Sequence, residues 1–247
     1  MRIDRILANS GLGTRSQIKK LIREGGVCVG GEVVYDPSVD IRDALLAAIT
    51  VFGKPIHFSK YLYLCLNKPD GCLTAMEDSR LPTVADYIPK ELLGKGISPI
   101  GRLDYHTTGV LLLTNDGELS HRLSGPKWHV PKSYIVTYSG EPLGNHEAEL
   151  FAKGLVLRDI PGTKTVLSPA TLELTGDNTC RLILYEGKTH QVKRMLSSVN
   201  RAVEALHREE YAGVRITGDQ APGGIRNLFP EELKQLLDQT GLTDRPK

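Results

Sequence analysis

The chain has no long apolar segment. Its longest uninterrupted apolar run is Ala44–Ile49, far short of the roughly 20 residues a helix needs to cross a bilayer. Near the N-terminus, Arg2, Asp4 and Arg5 stand where a secretory signal would need an apolar core. Cysteine is scarce: Cys28, Cys65, Cys72 and Cys180 are scattered with no CxxC pair. That excludes a disulfide framework or a zinc site. It predicts reduced thiols, with Cys28, Cys65 and Cys180 packed in strand-like patterns. The seven histidines show no HxxxH spacing, so no metal is expected. No internal repeat or low-complexity tract is present. These absences predict a soluble, cytoplasmic protein without a membrane segment.

Charge of one sign is also lacking, with 31 Lys and Arg against 29 Asp and Glu. Its distribution is uneven. Residues 1–60 hold nine basic side chains against six acids, leaving 22 against 23 for residues 61–247. The basic excess therefore lies in the N-terminal quarter, a mild footprint of an anionic or nucleic-acid partner. At 247 residues there is room for one large or two modest domains.

What is present begins with two short helices. Ile3, Ile6 and Leu7 fall at helical spacing before Ser10-Gly11. Thr14 with Gln17 three residues on signs a capping box for a second helix, in which Ile18, Leu21 and Ile22 form the core stripe. Arg15, Lys19, Lys20 and Arg23 occupy another face of that helix, and Gly25-Gly26 ends it. Val27–Val29, Gly30-Gly31 and Glu32–Tyr35 read as a hairpin with a two-glycine turn; a strand is predicted at Ala48–Phe52. His57–Lys60 marks the linker region.

Beyond it, many short strands and fewer helices predict an α+β fold with a mainly antiparallel sheet. Strands are expected at Tyr61–Leu66, Val110–Thr114, Lys132–Tyr138, 155–158, 169–174, 179–185 and 203–207. Helices are expected at 85–88, 118–123, 146–153, 189–199 and from Pro230 to about Thr240. The stretch Gly101–Gly117, GRLDYHTTGVLLLTNDG, holds Asp104 in a loop before a buried strand, and Asn115-Asp116-Gly117 closes that strand with residues tolerant of positive φ. Loops on rigid scaffolds are where chemistry tends to be placed. Glu186–Met195, EGKTHQVKRM, leads from a strand into a helix with Lys188, Lys193 and Arg194. A Walker A loop is excluded there because Leu182 stands where its first glycine would be.

GRLDYHTTGVLLLTNDG, LNKPDG (66–71), KSYIVTY (132–138) and EGKTHQVKRM together resemble the pseudouridine synthases of the small-subunit rRNA type, the RsuA/RluB branch. LHREEYAGVRI (206–216) and APGGIRNLFPEEL (221–233) resemble it too, and residues 1–34 resemble the S4 RNA-binding domain. The resemblance implies an S4 domain over 1–57, a linker at 58–60 and a catalytic domain over 61–247 with a mixed, mainly antiparallel sheet flanked by helices. It implies conversion of a uridine in RNA to its C-glycoside isomer, without metal or organic cofactor. Asp104 matches the essential aspartate, nucleophile or base at the sugar, where a carboxylate suits a developing positive charge. Tyr134 matches the tyrosine that stacks on the target base and assists at C5. Lys193 matches the basic partner that favours the ionised aspartate. Arg102 matches the arginine associated with base extrusion. His190 and Gln191 either bind substrate or order the turn, and Arg194 is a further RNA-binding candidate. Arg15, Lys19, Lys20 and Arg23 are expected on RNA phosphates.

HRLSGPKWHVPKSYIVTY (121–138), FAKGLVLRD (151–159) and TKTVLSPATLEL (163–174) favour 16S rRNA, by resemblance uridine 516, free or in an assembly intermediate, with the enzyme a monomer. The alternatives are a 23S rRNA enzyme of the same family or a non-catalytic RNA-binding assembly factor. Asp104 and Tyr134 are both present, which counts against the latter.

Overall fold

Thr14 sets the first well-marked boundary. Its hydroxyl accepts the Gln17 N–H while the Gln17 amide oxygen accepts the Thr14 N–H at 2.8 Å, the reciprocal capping box the sequence predicts. The computed structural model describes residues 1–10, 12–56, 61–158 and 163–243. The chain divides into two compact units, Met1–Tyr61 and Leu62–Thr243.

In the first unit, α1 (Ile3–Asn9) and α2 (Arg15–Arg23) meet through Ile3, Ile6, Leu7, Ile18 and Ile22, all buried. Strand β1 (Val27–Val29) turns into β2 (Glu32–Val33) through Gly30 and Gly31, at φ 61° and 92°. Positive φ at both turn positions is what a primed two-residue hairpin turn demands. A 3-10 turn over Asp43–Ala48 then feeds β3 (Ile49–Val51) and β4 (Lys54–Pro55), completing a sheet of order β2-β1-β3-β4. The strand predicted at Ala48–Phe52 is shorter, because Ala48 closes the 3-10 turn and Phe52 enters a tight turn at φ 49°. The linker expected at 58–60 lies outside the described residues.

The second unit is built on a long mixed sheet. Its first strands are β5 (Tyr63–Lys68), β6 (Ser98–Pro99), β7 (Thr107–Thr114) and β8 (Lys132–Ser139). Two short strands, β9 (Val156–Leu157) and β10 (Thr165–Val166), pair as a separate ribbon. Then come β11 (Thr171–Gly176), β12 (Thr179–Leu184), β13 (Ala202–Tyr211), β14 (Val214–Arg215) and β15 (Ile225–Asn227). The order is β11-β12-β8-β13-β7-β5-β15, with β14 on β13 and β6 on β7. Among these strands only β13 and β7 run parallel. The helices are α3 (Lys90–Leu93), α4 (Gly117–Ser124), α5 (Asn145–Ala152), α6 (Gln191–Ser198) and α7 (Pro230–Gln239).

Both faces of the sheet are covered. Leu111 and Leu113 of β7 join a core with Phe151 of α5 and Val192, Met195 and Leu196 of α6. Val110 and Leu112 join the opposite core with Leu119 and Leu123 of α4 and Leu236 and Leu237 of α7. A central strand buried on both sides needs apolar residues at consecutive positions, which is why Val110–Leu113 does not alternate. Among the described residues no helix is long and apolar enough to cross a membrane.

Three expectations need correction. Asn115-Asp116-Gly117 does not turn through positive φ: Asp116 instead caps α4, accepting the Leu119 N–H at 3.1 Å. Residues Asn67 and Lys68, beyond the strand expected at Tyr61–Leu66, finish β5 and are buried. Strand β13 runs ten residues, well beyond 203–207. Its charged stretch hid it, since Glu209 is neutralised by Arg181 at 2.9 Å and Arg208 is buried with Nε donating to the Val110 carbonyl at 2.7 Å.

Candidate active site

Asp104 follows Gly101, at φ 69°, on the loop that leads into β7. Its neighbours are fixed on both sides. Thr74 Oγ1 donates to the Leu103 carbonyl at 2.7 Å and accepts the Leu103 N–H at 3.2 Å. On the other side Lys68, fully buried at the end of β5, donates to the carbonyls of Pro69, Tyr105 and Thr107 at 3.1, 3.1 and 2.9 Å. The Thr107 N–H in turn donates to the Asp104 carbonyl at 3.0 Å. Burial pulls the Lys68 ammonium below its ordinary range, an effect opposed by Cys72, Asp70 and Asp104. Replacing Lys68 by methionine removes the ammonium from three carbonyls, of which that of Tyr105 keeps the Cys72 N–H at 3.4 Å. The unfolding free energy is expected to fall by about 2 kcal/mol, read from the urea midpoint.

Helix α6 supplies the groups that face Asp104. Lys193 Nζ lies 3.5 Å from one carboxylate oxygen and His190 Nε2 lies 3.7 Å from the other. Both groups come from the start of α6, His190 at its cap and Lys193 in its first turn. His190 precedes the helix in a left-handed conformation, φ 50°. That turn is held by Gln191, only 4% exposed, whose amide oxygen accepts the Lys188 N–H at 2.9 Å and whose amide nitrogen donates to Glu186 at 3.0 Å. Gln191 thus orders the turn and also lines the same cavity as Asp104. Glu186 also accepts the Ser168 N–H at 2.9 Å and pairs with Lys188 at 3.1 Å. Burial raises the Glu186 pKa, but the Ser168 and Lys188 bonds more than offset this and hold the carboxyl below its usual range.

These groups open on one cavity. Leu103, Leu184, Val192, Leu206 and Tyr134 give it apolar surface; Arg102, Lys188 and Lys193 add cationic side chains to the same lining as Asp104 and His190. Tyr134, 8% exposed, stands on β8 between Leu182 of β12 and Arg208 of β13. A cavity that combines apolar side chains, one aromatic ring and cations suits a planar base attached to an anionic backbone.

The structure therefore brings together Arg102, Asp104, Tyr134, His190, Gln191 and Lys193, from three separated stretches. It does not bring in Arg194, whose Nη2 donates to Thr165 Oγ1 of β10 at 2.9 Å, away from the cavity lining. Arg15, Lys19, Lys20 and Arg23 are exposed on α2 of the first unit. Sequence reasoning missed Lys68, Thr74 and Glu186 as organisers of the loop and turn. Lys68 lay in the motif LNKPDG, but its burial is set by strands distant in sequence. His106, in the same loop, donates to Asp70 at 2.9 Å, both side chains being exposed. That bond, the largest cause, holds the Asp70 carboxyl below its usual range.

Comparison with known proteins places these features. The family model described as RNA pseudouridylate synthase matches residues 62–198, and that of the S4 domain matches residues 1–43. An uncharacterized RNA pseudouridine synthase of Bacillus subtilis is 38% identical, over 96% of this chain and 98% of that protein. The ribosomal small subunit pseudouridine synthase A of Pasteurella multocida is 38% identical over 94% of this chain and 98% of its own length. Its Escherichia coli namesake is 35% identical over 96% and 100%. A crystal structure of a pseudouridylate synthase superposes with a TM-score of 0.66 at 35% identity, covering 96% of this chain and 99% of that one. The chain belongs to the RNA pseudouridylate synthase family, in the branch that carries an S4 domain ahead of the catalytic fold.

Proposed function

We propose that this enzyme isomerises a specific uridine of 16S ribosomal RNA, uridine 516 by family resemblance, to pseudouridine. The observation that carries the reading is the carboxylate of Asp104, set 3.5 Å from Lys193 and 3.7 Å from His190 beside Tyr134, in a chain 35–38% identical to several small-subunit enzymes along almost its whole length. The target base leaves the helix stack to reach the cavity, with Arg102 at the mouth filling the gap. Asp104 acts at the sugar as nucleophile or base while the N1–C1′ bond breaks. The uracil turns within the apolar walls, C5 bonds to C1′, and N1 gains a proton as C5 loses one. Tyr134 stacks on the base and assists removal of the C5 proton. Lys193 keeps Asp104 ionised. No atom is gained or lost overall.

Because C5 loses its proton, turnover is measurable as tritium release from transcripts labelled with [5-³H]uridine. The expected result is release of one equivalent per 16S transcript or small-subunit particle and none from 23S transcripts. Release from 23S alone would move the target to the large subunit, and release from neither would remove the assignment. In the first unit, the exposed cations of α2 support a role in gripping RNA. Deleting residues 1–60 is expected to weaken RNA binding and to flatten its dependence on salt, while residues 61–247 remain folded by circular dichroism. Equal affinity and salt slope for the truncated and full chains would contradict that role.

A further inference from the structure

Two aromatic side chains of the N-terminal unit lie on its surface. Phe52 is 74% exposed and Tyr35 is 62% exposed. Phe52 also stands at φ 49°, followed by Gly53 at φ 75°. A bulky residue in the left-handed region is strained, and this turn position is relieved by glycine, asparagine or aspartate. Local strain of this kind persists where surrounding structure enforces it, and it clusters at functional places. Here the Phe52 N–H donates to the Gly26 carbonyl at 2.9 Å, which fastens the turn to the end of the basic helix.

The two rings stand over neighbouring glycines. A Cβ added to Gly25 would fall 3.2 Å from the Tyr35 ring, and one added to Gly26 would fall 3.0 Å from the Phe52 ring. Both glycines follow Glu24, the C-cap of α2, which pairs with Lys20 at 3.7 Å; the helix carries Arg15, Lys19, Lys20 and Arg23 on its exposed surface. Aromatic faces beside a row of cations match the chemistry of a single nucleic-acid strand, whose bases stack while its phosphates meet positive charge. An apolar protein segment would account for the rings but leave the cations without a role.

We infer that Tyr35 and Phe52 form a stacking platform for unpaired bases of an RNA strand whose backbone is held by α2. The inference rests on the reading of the chain as an RNA-binding enzyme. It adds a contact that selects unpaired over paired RNA at the first unit.

The test uses the full chain and two fluorescein-labelled probes, a stem-loop with an unpaired uridine loop and a blunt duplex of the same stem. Phe52→Gly relieves the positive φ, so its thermal midpoint is expected to equal or exceed that of the parent. The same change, and Tyr35→Ala, are expected to weaken stem-loop binding at least about fivefold each and leave duplex binding unchanged. Lys19→Glu with Lys20→Glu is expected to weaken binding of both probes. Loss of affinity in the charge variant with none in the aromatic variants would overturn the platform while leaving the RNA-binding role of α2 intact. No loss in any variant would overturn both. Unchanged RNA affinity with a shift in sedimentation for Phe52→Gly would overturn the platform and assign the face to a second copy of the chain.

Discussion

Asp104→Asn is expected to lower uridine isomerisation by a factor of roughly 10⁴ or more, the scale of losing a group that meets the reacting atoms. The substitution keeps the shape of the side chain and removes its charge. Lys193 and His190 then face an amide in place of a carboxylate at 3.5 and 3.7 Å, and no anion remains to act at the sugar. The loop itself does not depend on that charge. It is held by Thr74 on Leu103 and by Lys68 on Tyr105 and Thr107, all through backbone atoms. Folding and RNA affinity are therefore expected to stay close to the parent, the dissociation constant within about twofold, because phosphate contacts dominate affinity. Turnover, thermal midpoint and binding measured on one preparation separate these effects. A variant with near-parental turnover would remove Asp104 from the chemistry.

Gly109→Ala is expected to show the largest stability loss, about 4 kcal/mol or more, or a failure to accumulate as folded protein. Gly109 sits at φ 99° within β7. A Cβ there would lie 2.3 Å from the Arg208 carbonyl oxygen and 2.9 Å from the His207 ring. The obstacle is backbone of the adjacent strand, so no rotamer change relieves it, and the added strain of positive φ falls on the same residue. The contact is at the β7–β13 pairing, where Thr107, Thr108 and Gly109 face Leu206, His207 and Arg208. Forcing that seam apart loosens the two strands that bear Thr107 and Leu206 of the cavity wall. Gly94→Ala is the matched control. Nothing lies within 4 Å of its would-be Cβ and its φ is −77°, so a change within about 0.5 kcal/mol is expected in the same urea titration.

Sequence patterns made some of this fold legible and concealed the rest for physical reasons. The capping box of Thr14 and Gln17 and the paired glycines 30 and 31 are local devices, complete within a few residues, and each appears where the pattern indicates. The apolar run Val110–Leu113 marks a strand because burial on both faces leaves a continuous signature. Lys68 shows the opposite case. A lysine beside Pro69-Asp70-Gly71 reads as solvated turn chemistry, and only the approach of Tyr105 and Thr107 makes it a buried clamp. Strand β13 extends further than its pattern indicates because His207, Arg208, Glu209 and Glu210 look like surface residues until Thr108, Val110, Arg181 and Arg215 satisfy them. Asp104, Tyr134 and Lys193 were identified as candidates from motifs. Their convergence on one cavity, and the exclusion of Arg194 from it, depend on strand order and helix phase that no local pattern encodes.

The central claim is that Asp104 drives isomerisation of a small-subunit rRNA uridine. The most direct measurement maps pseudouridine across both ribosomal RNAs in cells lacking this protein, complemented with the parent chain or with Asp104→Asn. The account predicts that one 16S position loses its pseudouridine in the deletion, regains it with the parent and stays uridine with Asp104→Asn. An unchanged 16S map in the deletion, or full restoration by Asp104→Asn, would contradict it.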